Sequence, residues 1–304
     1  MDKIVVNSKD PVRLDRYIRR YYRNATQGII EKFLRKGQIK LNSKKAKTST
    51  RVQNGDIITV AAGVFSKEIV SSQNSDINFS SNIISLAECL ISELLLYSSE
   101  EFIAINKPNG LAVQGGSKIS LSIDDALNYL NHSKKTQYKL VHRLDKETSG
   151  VLIIANGFEN AAKLGNAFKE KLITKTYIAV LCGCPKNLEG KIENNIGKDR
   201  SGIFEIVKEL SIGGKLAKTK YKVLQSRDNI SLVEFYPLTG RMHQLRFHAK
   251  YLGCPIFGDT KYGGAKYKRL MLHAETIVIP ANIFGREIKI ESKISKGFNI
   301  DNLV

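Results

Sequence analysis

Between Leu140 and Asn156 the chain reads LVHRLDKETSGVLIIAN, which places His142, Arg143 and Asp145 within four residues, just ahead of an apolar run. A carboxylate at the mouth of a buried strand sits at a sheet edge, where a cleft can form and a charged group can reach a substrate. The same residues can also close a turn, with Asp145, Thr148 and Ser149 satisfying backbone groups. On this stretch alone both readings stand, and the turn is the commoner use of such residues.

A second cluster is TGRMHQLRFHAK, Thr239 to Lys250, which carries Arg241, His243, Gln244, Arg246, His248 and Lys250. If the segment opens as a helix, Arg241, Gln244 and His248 share a face. Arginine suits bidentate contact with phosphate, so the cluster fits an element that reads phosphate and base. His243 and His248 are five apart rather than the four of HExxH, and no Cys or acidic ligand stands nearby, so no metal site is expected. A third stretch, KEKLITKTYIAVLCG, alternates as a strand and presents Tyr177 beside Lys175 and Ala179. Tyr177 is either a core tyrosine or, beside a basic cleft, a platform for an unstacked base. NKPNGLAVQGG supplies a Pro-Asn-Gly turn and the Gly115-Gly116 pair, which suit close backbone approach to RNA or plain loop chemistry. Neither GxxxxGK[ST] nor GxGxxG occurs, so nucleotide cofactors have no support.

The elements that must hold these groups follow from periodicity. RLDRYIRRYY places Leu14, Tyr17, Ile18, Tyr21 and Tyr22 on one helical stripe, and QGIIEKFLRK turns Ile29, Ile30, Phe33 and Leu34 inward before stopping at Gly37. Short strands follow, with turns at Asn42-Ser43 and Asn54-Gly55-Asp56. Lys32, Arg35, Lys36, Lys44 and Lys45 cluster in this compact module, whose basic density points to RNA binding. A Ser/Asn-rich stretch follows and reads as a linker. Beyond it LLLYSSEEFIAINK gives two strands around a turn, further strands are expected at 151–155, 175–182, 218–225, 230–236 and 285–291, and a helix at 158–171. Strands joined mostly by turns predict an α+β fold on a mixed, largely antiparallel sheet with flanking helices. The expected division is a module at 1–62, a linker at 63–88 and a larger domain at 89–304.

The chain of 304 residues carries a formal net charge of +19. The excess sits in the first 60 residues and again beyond residue 100, around an acidic spacer, which suits two modules facing an anionic polymer. Cys89, Cys182, Cys184 and Cys254 form neither a disulfide framework nor a paired zinc motif, as expected of reduced thiols in a cytoplasmic protein. No apolar run approaches the ~18 residues of a membrane span, and MDKIVVNSKD lacks a signal-peptide core, so no membrane partner is expected.

HRLDKETSG, NKPNG, KTYIAV and TGRMHQLRFH, in this order and spacing, resemble the RluA-type pseudouridine synthases, and the first 60 residues resemble an S4 RNA-binding domain. The resemblance covers nearly the whole chain outside the spacer. RKGQIKLNSKKAK, NKPNGLAVQGGS and RLMLHA are most similar to the branch that acts on the ribosomal large subunit, with Gln114 standing where that branch often has His. The resemblance implies cofactor-free isomerisation of uridines in 23S ribosomal RNA, at several sites near the peptidyl-transferase region, by a monomer. It assigns Asp145 as the catalytic carboxylate, Arg241 as its paired cation and Tyr177 as the ring that stacks on the base near its C5 proton. Arg143 would fill the space of the flipped base, and Lys107 and Arg246 would contact phosphate. A synthase for tRNA or another rRNA site, and a non-catalytic RNA-binding assembly factor, are the rival readings.

Overall fold

The computed structural model describes residues 2–8, 11–22, 25–65, 79–116, 119–199, 206–294 and 296–302. It divides into two compact units, 1–78 and 79–304.

In the first unit the strands are β1 (Asp2–Val5), β2 (Val12–Arg13), β3 (Ile39–Leu41), β4 (Arg51–Val52) and β5 (Ile57–Val60), with helices α1 (Leu14–Tyr21) and α2 (Gln27–Arg35). β5 pairs antiparallel with both β1 and β3, and β2 pairs with β4. The expected stripe is realised: Leu14, Tyr17, Ile18 and Tyr22 join Ile30, Leu34, Ile39, Val52 and Ile58 in one core. Each such aliphatic side chain taken from water contributes about 1.5–3 kcal/mol. Ile29, expected inward, is 37% exposed, because Ile30 and Leu34 alone occupy the buried stripe of this short helix. Thr26 caps α2 through the Ile29 amide, and Gly37 ends it at φ +70°.

The second unit opens with α3 (Ser81–Ile91), which lies within the segment read as linker except for its last three residues. Ala87 and Leu90 bury its inner face, so the Ser/Asn-rich composition of this stretch conceals a real amphipathic helix. The centre of the expected linker, 66–78, lies outside the described residues. Then come β6 (Leu95–Ser98), β7 (Phe102–Lys107), α4 (Ile123–Ser133), β8 (Tyr138–Leu140), β9 (Ser149–Asn156), α5 (Phe158–Lys169), β10 (Thr174–Cys182), β11 (Glu189–Lys198), β12 (Val207–Glu209), β13 (Lys215–Arg227), β14 (Ile230–Pro237), α6 (Gln244–Tyr251), β15 (Leu272–Ile279), α7 (Ala281–Phe284) and β16 (Ile288–Glu291). α4 starts at a capping box between Ser122 and Asp125, a device that contributes about 1 kcal/mol.

Eleven strands form one sheet in the order β12-β11-β13-β14-β10-β15-β9-β7-β6, with β16 also on β15 and β8 also on β9. Every pairing is antiparallel except β15 with β9, so the sheet is mixed and largely antiparallel as expected. The parallel joint is where its two halves meet, and it is tight. A Cβ on Gly150, at φ +112°, would lie 2.1 Å from the Ala274 carbonyl oxygen, so only glycine fits there. α3 and α4 pack with β7 and β9 in one core, α5 and α7 with the same strands in another, and α6 covers β10 and β14.

Candidate active site

Asp145 stands in the loop between β8 and β9, at the parallel joint. The loop is held by backbone: Thr148 N donates to the Asp145 carbonyl at 3.0 Å, and Thr148 and Ser149 are buried. NKPNG clasps the same turn. Gly110 N donates to the Lys146 carbonyl at 3.0 Å, and the Asn109 amide donates to the carbonyl of Glu147. Lys107 completes the clasp. Its ammonium donates to the carbonyls of Pro108 (2.8 Å), Leu111 (2.8 Å) and Lys146 (3.0 Å). An ammonium has three protons, so none is left for RNA. Lys107 is fully buried, and burial lowers its pKa to about 8 against the opposing pull of Glu147 and Asp145. The expected phosphate contact at Lys107 is therefore corrected: this lysine builds the loop.

The Asp145 carboxylate is half-buried and accepts no hydrogen bond among the described residues. Burial raises its pKa, while Arg246, then Arg143, then Lys107 oppose the rise as nearby cations and Asp259 adds to it. Tyr177, on β10 opposite Phe235 and Ala274, packs between the cores of both sheet halves. Burial first, and the charge of Asp145 second, push its phenol well above the usual tyrosine range. His142 has a structural partner: its Nε2 accepts the Ile153 amide at 2.8 Å and its ring stacks on Phe168 at 4.4 Å. Burial and then the charge of Lys175 lower its pKa to about 3, so the ring is neutral and anchors the loop to β9. Arg143 is exposed and has no partner among the described residues.

The second cluster does not open as a helix. α6 begins at Gln244, after His243 in a left-handed conformation at φ +50°, so Arg241 precedes the helix and shares no face with His248. Arg241 is exposed, and its Nε donates to the Leu216 carbonyl at 3.2 Å. Arg246 is buried and held in a bidentate pair with Asp259, both bonds at 2.6 Å, with Tyr262 under its guanidinium at 5.1 Å. The cation acting most strongly on Asp145 is thus Arg246 rather than Arg241. The physical reason is that residues 239–243 form a turn, which points Arg241 outward and starts the helix at Gln244. Gln244 shapes that turn, accepting from Thr239 Oγ1 (2.7 Å) and the Arg241 amide (3.0 Å) and donating to the Lys218 carbonyl and Thr219 Oγ1. His248 Nδ1 bonds Thr219 Oγ1 at 2.8 Å, and burial lowers its pKa to about 4. Among the described residues no group of three or more His, Cys, Asp or Glu is placed to hold a metal ion.

Lys32, Arg35, Lys36, Lys44 and Lys45 all lie in the first unit, exposed and without a carboxylate partner among the described residues. Three site features escaped the sequence reading: Asp259, Lys175 and the fit of Gly150 under β15. Asp259 is thirteen residues from Arg246, and no local pattern links the two.

A carboxylate that accepts no hydrogen bond among the described residues, three cations that act on it and a half-buried tyrosine meet where the halves of a mixed sheet join. This chain belongs to the RNA pseudouridylate synthase family; a family model of that description matches residues 101–251. It is 51% identical over 301 residues to the ribosomal large subunit pseudouridine synthase C of Rickettsia bellii, covering 97% of this chain and 99% of that protein. The protein of the same name from Vibrio parahaemolyticus is 29% identical over 93% of this chain and 91% of its own length. Among solved structures, Human RNA Pseudouridylate Synthase Domain Containing 4 is 30% identical with a TM-score of 0.60, over 71% of this chain and 94% of that one. The chain is an RNA pseudouridine synthase, an isomerase. No helix among the described residues is long and apolar enough to cross a membrane.

Proposed function

We propose that this chain converts uridines of 23S ribosomal RNA to pseudouridine, with Asp145 as the catalytic group. The observation that carries the assignment is the Asp145 carboxylate itself, half-buried, without a hydrogen bond among the described residues and acted on by the charges of Arg246, Arg143 and Lys107. A carboxylate with no hydrogen bond to spend its charge on is more basic and more nucleophilic, and the cations oppose the rise that burial imposes on its pKa.

In the reaction the N1–C1′ bond breaks, the uracil turns over and C5 bonds to C1′; the C5 proton leaves to solvent and N1 takes up a proton in its place. The product is an isomer, so neither oxidant nor cofactor is required. Attack on C1′ and removal of the 2′ proton both use the ionised form of Asp145. Tyr177 keeps its proton in the free enzyme and serves as the face on which the uracil stacks. The target base must first leave its helix, at a cost of a few kcal/mol, and the exposed Arg143 takes the vacated place. Arg246 takes the role of paired cation that the family resemblance gave to Arg241.

The first unit acts as an S4-type RNA-binding module through Lys32, Arg35, Lys36, Lys44 and Lys45. The enzyme works as a monomer in the cytoplasm. The test is release of tritium from 5-tritiated uridine in a 23S rRNA transcript by wild type and Asp145→Asn in parallel. Wild type should release tritium and Asp145→Asn should not. No release by wild type overturns the substrate, and equal release by both overturns Asp145.

A further inference from the structure

Lys175, on β10, is half-buried and forms no hydrogen bond or ion pair among the described residues. It lies two residues before Tyr177, and the irregularity in the β10–β15 register leaves the extra residue on β15, so β10 alternates unbroken and both side chains share a face. Its Nζ lies 3.9 Å from the place a Cβ on Gly240 would take, and its charge acts on His142. The ammonium therefore stands between the loop that carries Asp145 and the turn that carries Arg241.

Among the described residues no anion pairs with it. Arg246, Arg143 and Lys107 are the cations acting on Asp145, and burial is the sole cause acting on the pKa of Lys175, which it lowers. A carboxylate close by would act in the opposite direction. An ammonium taken out of water without a counter-ion is costly, and such groups are kept when a ligand completes them. With uracil on Tyr177 and ribose at Asp145, the anion that the substrate brings into this place is its own backbone phosphate. A lysine on a flexible stem suits a phosphate as a compact point charge.

We infer that Lys175 is a phosphate-binding residue of the cleft, taking a backbone phosphate beside the flipped nucleotide between the His142 loop and Gly240. The inference rests on reading this cleft as the uridine site.

The test compares wild type, Lys175→Met and Lys175→Arg as full chains, each binding a 23S rRNA transcript over a range of salt, with tritium release measured in parallel. A charge-assisted bond of ordinary strength predicts about a tenfold loss of affinity for Lys175→Met. Removing one phosphate contact should flatten the slope of log K against log salt by about 0.7–0.9. KM should rise and kcat should fall far less. Lys175→Arg should keep the wild-type slope. The melting temperature of Lys175→Met should not drop, because an unpaired ammonium has been removed. An unchanged slope overturns the inference, as does a lower melting temperature with a lower kcat at constant KM, which marks a structural lysine. Absence of tritium release by wild type overturns the uridine reading instead, and the salt slopes then still decide whether Lys175 meets a phosphate.

Discussion

The Lys107 ammonium donates to the carbonyl of Lys146, the residue that follows Asp145, so a buried lysine on β7 sets the position of the loop that carries Asp145. Lys107→Met should leave the carbonyls of Pro108 and Leu111 without a donor and that of Lys146 with the Gly110 amide alone. Each unsatisfied buried acceptor costs about 1–3 kcal/mol, partly offset by no longer burying a charge, so a net loss of about 3 kcal/mol is expected in denaturant unfolding. Tritium release should fall with it, while RNA affinity changes little because no proton of Lys107 is available to phosphate. A variant with normal stability and weakened RNA binding would return Lys107 to the role of a phosphate contact.

The raised pKa of Asp145 gives two linked pH effects. With Asp145 as the proposed catalytic group acting in its ionised form, kcat/KM should fall with acid along a limb centred above the ordinary carboxylate value of about 3.9. Stability runs the other way. The folded state binds this proton at higher pH than the unfolded state does, so the ionised group weakens the fold above its folded pKa and ceases to do so as pH falls through it. Asp145→Asn should therefore melt no lower than wild type at pH 7, and the difference between them should shrink at pH 4. A clearly less stable Asp145→Asn at pH 7 would mean that the surrounding cations outweigh burial.

Arg246 and Arg241 should separate cleanly by substitution. Arg246→Met leaves the buried Asp259 without its bidentate partner, at a cost of about 3–5 kcal/mol. It should also abolish most turnover, with kcat down at least a hundredfold. Arg246→Met combined with Asp259→Leu should recover much of the stability and none of the activity. Arg241→Ala, at an exposed position with one bond to a carbonyl, should alter stability by less than about 0.5 kcal/mol and act on KM. Urea unfolding and steady-state tritium release measure both. Equal kcat losses at the two positions would restore Arg241 as a partner of Asp145.

Elements with strong local periodicity were legible from sequence: α1 and α2 by their apolar stripes, β9 and β10 by their runs, and α5 by its inner face. β15 was missed because LHAETIVI is buried without clean alternation and becomes a strand only through partners far away in sequence, β9 and β10. α3 was masked by composition, and α4 by a capping box at Ser122 that was there to be read. The HRLD cluster was recognisable, yet the roles of its neighbours were not. Lysine is so rarely enclosed that sequence places Lys107 and Lys175 on the surface by default. Likewise the choice between Arg241 and Arg246 depends on one turn, fixed by Gln244 reaching across to β13.

The basic block of the first unit makes the last prediction. Lys32, Arg35, Lys36, Lys44 and Lys45 are exposed and pair with no carboxylate among the described residues, so their substitution removes no ion pair seen there. Replacing all five with Ala should leave the melting temperature within a few degrees of wild type, since exposed substitutions seldom exceed about 0.5 kcal/mol each. If each meets a phosphate, the slope of log K against log salt for a 23S rRNA transcript should flatten by up to about four. Because the five belong to the first unit and Asp145 to the second, kcat at saturating RNA should hold while KM rises. Salt titrations of binding beside tritium-release kinetics read both. An unchanged slope would show that the charge of this unit is a solvated face, and RNA affinity would then have to come from the second unit alone.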